Sequence, residues 1–352
     1  MNKAFWKGKR VFVTGHTGFK GSWLVLMLQD AGAIVGGYSK DIPTTPSMFE
    51  ACQISQLLEK DDRGDIADHQ KFKQSLHSFA PEILFHLAAQ SLVRLSYKDP
   101  FETYHTNVMG TLSVLMAANE CSSLSTIINI TTDKCYENKE WSWGYREIDP
   151  VGGHDPYSSS KACAEILSSS IRDSFLSKNN KRMATARAGN VIGGGDWASD
   201  RIVPDFMRAF ERKEKIQIRN PFAIRPWQHV MEPLDGYLTL AEHLHADEKF
   251  SGAWNFGPED KDCKTVEFIV TTLHQFMPEH KGVDIQDNSG QPHEAQFLKL
   301  DCSKAKSLLK WHPKFDATKA LDFTADWYKC FIHGGNIISK SREQIDAYHN
   351  SK

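Results

Sequence analysis

A hydroxyl, a carboxylate and an ammonium stand side by side at Thr132, Asp133 and Lys134, in the stretch IINITTDKCY, where an apolar β-branched run stops. A hydroxyl can hold a reacting oxygen. A carboxyl whose pKa is raised by burial can give a proton to a leaving group, and an amine with a depressed pKa can remove one. Further on, Tyr157 and Lys161 are separated by three residues. On a helix such positions share a face, so the ammonium can lower the pKa of the phenol, and a phenolate can then deprotonate a hydroxyl. The plainer reading of Thr132 and Asp133 is a polar loop capping a helix. Three distinct groups lying between two cofactor-type motifs favour chemistry. Tyr348 and Lys352 repeat the spacing at the extreme carboxyl end, outside the nucleotide-binding half, and are read as coincidence.

Such groups need a scaffold, and the first half of the chain supplies its pattern. RVFVTG (10–15), AIVGGYS (33–39), EILFHLAA (82–89), TIINITT (126–132) and RMATARAGNVIG (182–193) read as strands. GSWLVLMLQDAG (21–32), ETYHTNVMGTLSVLMAANE (102–120) and SSSKACAEILSSSIRDSFL (158–176) have helical spacing. This alternation predicts an α/β fold, a Rossmann-type doubly wound parallel sheet with ligands at the carboxyl ends of its strands. Residues 1–195 are expected to form the dinucleotide-binding domain. Residues 196–352 read as a smaller, irregular substrate domain, with elements such as AWNFGP (253–258) returning to the first. The closing stretch GGNIISKSREQIDAYHNSK reads as a peripheral tail.

Between the first strand and its helix lies TGHTGFKG, with Gly15, Gly18 and Gly21 in a G-x-x-G-x-x-G spacing and Thr17 and Phe19 between them. Glycines there permit a tight turn and close approach of backbone to a pyrophosphate, which the helix amino terminus attracts. RGDIAD (63–68) offers Asp65 and Ile66 to an adenine. HLAAQS (86–91) offers Leu87, Ala88, Ala89 and Gln90 as small or backbone contacts to a dinucleotide. Asp41 is the nearest acid after the second strand, but it follows Ser39 and Lys40, so this stretch alone leaves NAD against NADP open.

At 352 residues the chain has length for roughly two domains. A net charge of -2 gives no basic field for nucleic acid or an anionic membrane. No apolar window approaches a membrane-spanning length, and the apolar run after the basic start is too short for a signal peptide. The seven cysteines form no C-x-x-C pair, so they read as reduced thiols in the cytoplasm, not as a disulfide or metal framework.

Together, TGHTGFKGSWL, HLAAQSLVRLSYKDPFETYHTNVMGT, TTDKCYEN, YSSSKACAE and RAGNVIGGGDW resemble the extended short-chain dehydrogenase/reductase superfamily. TTDKCYEN, GFKGSWL and IRPWQHVMEPLDGY narrow the resemblance to the CDP-glucose 4,6-dehydratase family. The resemblance implies NAD as cofactor, with Asn107 in its site, and CDP-glucose as substrate. It implies oxidation at carbon 4 by Tyr157 and Lys161 with Thr132 on the oxygen, loss of water across carbons 5 and 6, and a deoxysugar precursor for surface polysaccharide. Related dTDP-sugar enzymes carry an Asp-Glu pair where this chain has Asp133 and Lys134. The division of acid and base between those two stays open. Asn190, Arg201, Arg225 and His229 are the candidates for the substrate and its diphosphate. A homodimer through the 102–120 and 158–176 helices is also implied. The alternatives are a 4-epimerase, a dehydratase of another sugar nucleotide, or a non-catalytic dinucleotide-binding protein.

Overall fold

The computed structural model describes residues 1–218, 220–279, 281–285 and 297–351. Lys352, the partner of Tyr348 in the repeated spacing, lies outside them.

Seven parallel strands form the central sheet: β1 (Arg10–Thr14), β2 (Ile34–Ser39), β3 (Lys60–Arg63), β4 (Ile83–His86), β5 (Thr126–Ile130), β6 (Arg182–Ala188) and β7 (Gly252–Phe256). Their order is β7-β6-β5-β4-β1-β2-β3. Val11 of β1 pairs with Val35 on one side and Ile83 on the other, so the order reverses between β1 and β4. A cleft at the carboxyl ends is expected at that switch point. Side chains alternate between two apolar layers. Val11, Val13, Ile83, Phe85 and Ile128 enter one core, while Phe12, Leu84, Ile127 and Met183 enter the other.

The helices that bear on the site are α1 (Phe19–Asp30), α2 (His69–Phe79), α3 (Thr111–Glu120), α4 (Pro156–Ile171), α5 (Ile202–Arg212), α6 (Met231–Ala246), α7 (Val266–Phe276), α8 (Ala317–Ile332) and α9 (Ile337–Asn350). Asp155 starts α4 sharply, because its carboxylate accepts from the Ser158 amide and Pro156 fills the first turn. The 102–120 segment is not one continuous α-helix. Pro100–Tyr104 is α-helical, His105–Gly110 widens into a π-turn, and α3 follows. The Thr111 hydroxyl donates to the Asn107 carbonyl across that junction at 2.7 Å. The 158–176 segment likewise ends in a π-turn, Arg172–Leu176.

Two elements differ from the sequence reading. β3, four charged residues in a row (KDDR), has no apolar pattern because it is the sheet's outer edge, where charge discourages pairing with another chain. The expected tail is instead α9, docked on the body. Ile345 and Tyr348 are fully buried, Trp327 donates to the Ser341 hydroxyl at 2.9 Å, and Arg342 pairs with Asp30 of α1 at 3.1 Å. Tyr348, so far from any cleft, donates its hydroxyl to the buried Glu232 at 2.9 Å. Ile345→Ala should therefore destabilise the protein by roughly 2–5 kcal/mol, as a buried truncation does and loss of a loose tail does not. Urea unfolding with an unchanged m-value checks this.

Candidate active site

The turn after β1 is built for close approach. Gly15 has φ +73°, and a Cβ there would sit 2.7 Å from the Ala88 amide nitrogen. A Cβ on Gly21 would lie 2.1 Å from the Gly15 carbonyl oxygen. Gly18 caps α1 without a side chain, which leaves the first amides of that helix turned to the cleft. Ala88 and Ala89 lie opposite, at the end of β4. This cradle, small-walled and ending on a helix dipole, fits a dinucleotide.

The cleft has a volume of about 1270 Å³. It brings together Gly15, Thr17, Gly18, Phe19, Gly21, Asp65, Ile66, Leu87, Ala88, Ala89 and Gln90 with Thr132, Asp133, Lys134, Tyr157 and Lys161. Asn190, Arg201 and Arg225 line its other side. Two candidates are not in the lining. Asn107 is buried behind it: its side chain accepts from the Gln90 amide and donates to the Gln90 carbonyl, each at 2.9 Å, so it shapes the wall and does not form it. His229 lies in the core, its ring packed on Trp23, Phe315 and Phe323. Burial pushes its pKa down to about 3, which suits a neutral ring among aromatics and not a diphosphate ligand.

At the end of β5 the backbone turns into a short 3₁₀ segment, Asp133–Cys135, capped by the Thr132 side chain. The Thr132 hydroxyl donates to one Asp133 carboxylate oxygen at 3.0 Å and lies near the Tyr157 phenol. The other carboxylate oxygen, Oδ2, is buried without a hydrogen-bond partner. Burial raises the Asp133 pKa, against the opposing pull of Lys134, the Thr132 hydrogen bond, Arg225 and Lys20. Burial pushes the carboxyl toward its protonated form, the direction a proton donor needs.

The phenol and amine behave differently from the simple expectation. Burial raises Tyr157 to about 12, only partly offset by the neighbouring Thr132 hydroxyl, and a charge on nearby Asp133 adds to the rise. The Lys161 ammonium donates to the Ile130 carbonyl at 3.3 Å, and burial lowers its pKa to about 8. The residues of the cleft therefore do not by themselves make the phenol acidic. Arg201 lies close enough to Tyr157 to oppose the rise, and is itself anchored to Asp196 at 2.9 Å. Arg225 stands beside Asp133.

Sequence reasoning passed over Lys20. It lines the cleft, and desolvation followed by the Arg201 charge lowers its pKa to about 8. A cation inside the glycine turn, where the backbone already attracts anions, was the available signal. Among the described residues no group of three or more His, Cys, Asp or Glu side chains could hold a metal ion, and no helix is long and apolar enough to cross a membrane. All seven cysteines are free, and Cys135 is core packing.

The Asp133 environment also has a signature in stability. A carboxyl whose folded pKa lies above its unfolded value binds its proton more tightly when folded. It therefore lowers stability as pH rises from the unfolded value, near 3.8, through the folded one. Asp133→Asn should melt higher than the parent near neutral pH, with the gap closing as pH falls toward the ordinary carboxylate range. Coincident melting curves at neutral pH would mean that folding does not raise the Asp133 pKa.

The family model for GDP-mannose 4,6 dehydratase matches residues 12–323. The chain is 51% identical to the CDP-glucose 4,6-dehydratase of Salmonella typhimurium (strain LT2), over 99% of this chain and 98% of that one. Among solved structures it is similar in fold to UDP-glucuronic acid 4-epimerase from Bacillus cereus in complex with UDP-glucuronic acid and NAD (TM-score 0.80, 22% identity, 92% of this chain and 99% of that one). It is also similar to dTDP-glucose 4,6-dehydratase from Bacillus anthracis in complex with NAD (TM-score 0.76, 17% identity, 94% of this chain and 100% of that one). With a match spanning most of its length, and with the glycine turn, the Tyr–Lys pair and the strand-end acid in one cleft, the chain belongs to the GDP-mannose 4,6 dehydratase family, within the extended short-chain dehydrogenases/reductases.

Proposed function

We propose that the protein is an NAD-dependent CDP-glucose 4,6-dehydratase, a hydro-lyase that yields the 4-keto-6-deoxy sugar nucleotide. One observation carries the reading: the Tyr157–Lys161 pair shares its cleft with Asp133 and Lys134. A 4-epimerase needs the first pair but no acid and base for an elimination. The nucleotide itself rests on the 51% identity to a CDP-glucose enzyme.

When bound, NAD supplies an electron-pair acceptor at carbon 4 and the matching donor at carbon 6, together with a positive charge in the cleft. The chain's own residues manage the protons. Tyr157 takes the proton of the 4-hydroxyl, whose oxygen Thr132 holds. The 4-ketone acidifies the carbon-5 hydrogen. Asp133, its pKa raised by burial, donates to the departing 6-hydroxyl. That leaves Lys134, half-buried beside it, to remove the carbon-5 proton and to return one to carbon 5 once carbon 6 is reduced. Arg201 and Arg225 bind the diphosphate, with Asn190 meeting a phosphate oxygen. We further propose a cytoplasmic homodimer, making a precursor of surface-polysaccharide deoxysugars. Phe101, Met109 and Ile166, on or beside the two implied interface helices, are 81%, 52% and 60% exposed, which supports a partner surface there.

The test is mass spectrometry of the product from CDP-glucose deuterated at carbon 4, with NAD supplied. Loss of one water with deuterium at carbon 6 is the expected result. Unchanged mass with an inverted 4-hydroxyl would mean epimerisation. Dehydration only of dTDP, UDP or GDP sugars would remove the nucleotide assignment. Inertness toward all of them would restore the non-catalytic reading.

A further inference from the structure

Beneath the cleft lies a buried ion pair that takes no part in the proton transfers above. Glu165 stands one turn beyond Lys161 and two beyond Tyr157, on the same face of α4. Its two oxygens are fully used. One accepts from the Thr131 hydroxyl, and the other from Arg187 at 2.7 Å and Thr185 at 2.8 Å. Arg187, on β6, also donates to the Tyr136 hydroxyl at 2.8 Å, and its guanidinium lies 4.8 Å from the centre of that ring. Tyr136 in turn donates to Asn255 of β7 at 2.7 Å.

Thr131 and Tyr136 are the two ends of the loop whose middle is Thr132, Asp133 and Lys134. Both ends are gripped by one ion pair, and one member of that pair is anchored on the helix that presents Tyr157 and Lys161. Both charged side chains are only 5% exposed. Stability alone is a poor reason for such a pair, since well-packed apolar residues often serve as well. A buried network tied at this many points fixes geometry, although Arg187 Nε is buried without a partner.

Resting on the dehydratase reading, we propose that Glu165 and Arg187 are positioning residues. They lock the Thr132–Lys134 loop to α4, so that elimination at carbons 5 and 6 follows oxidation at carbon 4 before the 4-keto sugar can leave. The pair touches no substrate and acts through Thr131 and Tyr136.

The experiment measures a partition, not a rate. Borodeuteride quenching counts sugar oxidised at carbon 4 but not dehydrated, relative to dehydrated product. A purely structural defect reduces both together and leaves the ratio alone. Glu165→Gln strands a buried guanidinium and is expected to lower the yield of folded protein. Thr131→Val leaves the ion pair intact and releases only the loop. In Thr131→Val the ratio should rise by about 10- to 100-fold, the scale of effect of a small misplacement of catalytic groups. Thr131→Ser, which keeps the hydroxyl, should return it toward the parent. A parental ratio in Thr131→Val, at whatever overall rate, would overturn the proposal while the dehydratase reading stood. A parent protein that formed neither ketone nor dehydrated sugar from any nucleotide sugar would overturn that reading, and this inference with it.

Discussion

Tyr157→Phe is expected to reduce kcat by roughly 10²- to 10⁴-fold, the range that a positioned general acid or base contributes. The substitution removes one oxygen from a side chain that is 8% exposed, so the ring still fills its place at the start of α4. Thr132 keeps its bond to Asp133 and its bond from the Lys134 amide. Binding of the sugar nucleotide, measured calorimetrically, should change little. A large fall in affinity with near-normal kcat would make Tyr157 a binding residue and remove it from the proton path.

The second large effect separates two neighbours. Lys134→Met and Asp133→Asn should each slow loss of water by about 10²- to 10⁴-fold, but with different isotopic signatures. In heavy water, Lys134→Met should stop deuterium from entering carbon 5 of recovered substrate, because the base is gone. Asp133→Asn should let that exchange continue while water is retained, because only the donor to the leaving group is missing. The opposite pattern would exchange the two roles. The unpartnered Asp133 Oδ2 favours Asp133 as the donor and Lys134 as the base. A Cβ on Gly189 would lie 2.9 Å from that oxygen, so the bare glycine keeps its approach clear for a leaving hydroxyl.

Much of this site is legible in the residues because local rules and the global fold agree there. The glycine turn needs a positive φ and bare Cα atoms at particular steps, so its chemistry is written in the sequence. The Tyr157–Lys161 spacing survives because α4 is an ordinary α-helix over that stretch. The strand end at Thr131 is marked by the change from β-branched to polar residues. Tertiary context hides the rest. The edge strand KDDR has no apolar alternation because it closes the sheet on one side and is only half-buried, and α9 looks polar because only one stripe of it is buried. A histidine following an arginine-rich loop suggests an anion ligand, yet His229 faces aromatic side chains that come from residues about a hundred positions later. The acidity expected of Tyr157 assumed that Lys161 spends its charge on the phenol. The fold gives that ammonium a carbonyl at the end of β5 instead.

The seventh strand carries a consequence for how the chain is made. β6 has six of its seven residues buried, and its outer side is closed only by β7, which arrives after the whole excursion through α5 and α6. Until Gly252–Phe256 leaves the ribosome, a strand destined for burial stands with one edge unpaired beside a nearly finished sheet. Such an edge is a template for other nascent chains. A version ending near residue 195 would keep that exposure permanently, so residues 1–195 are not a module that can be borrowed alone. Their solubility depends on five residues from the far side of the sequence.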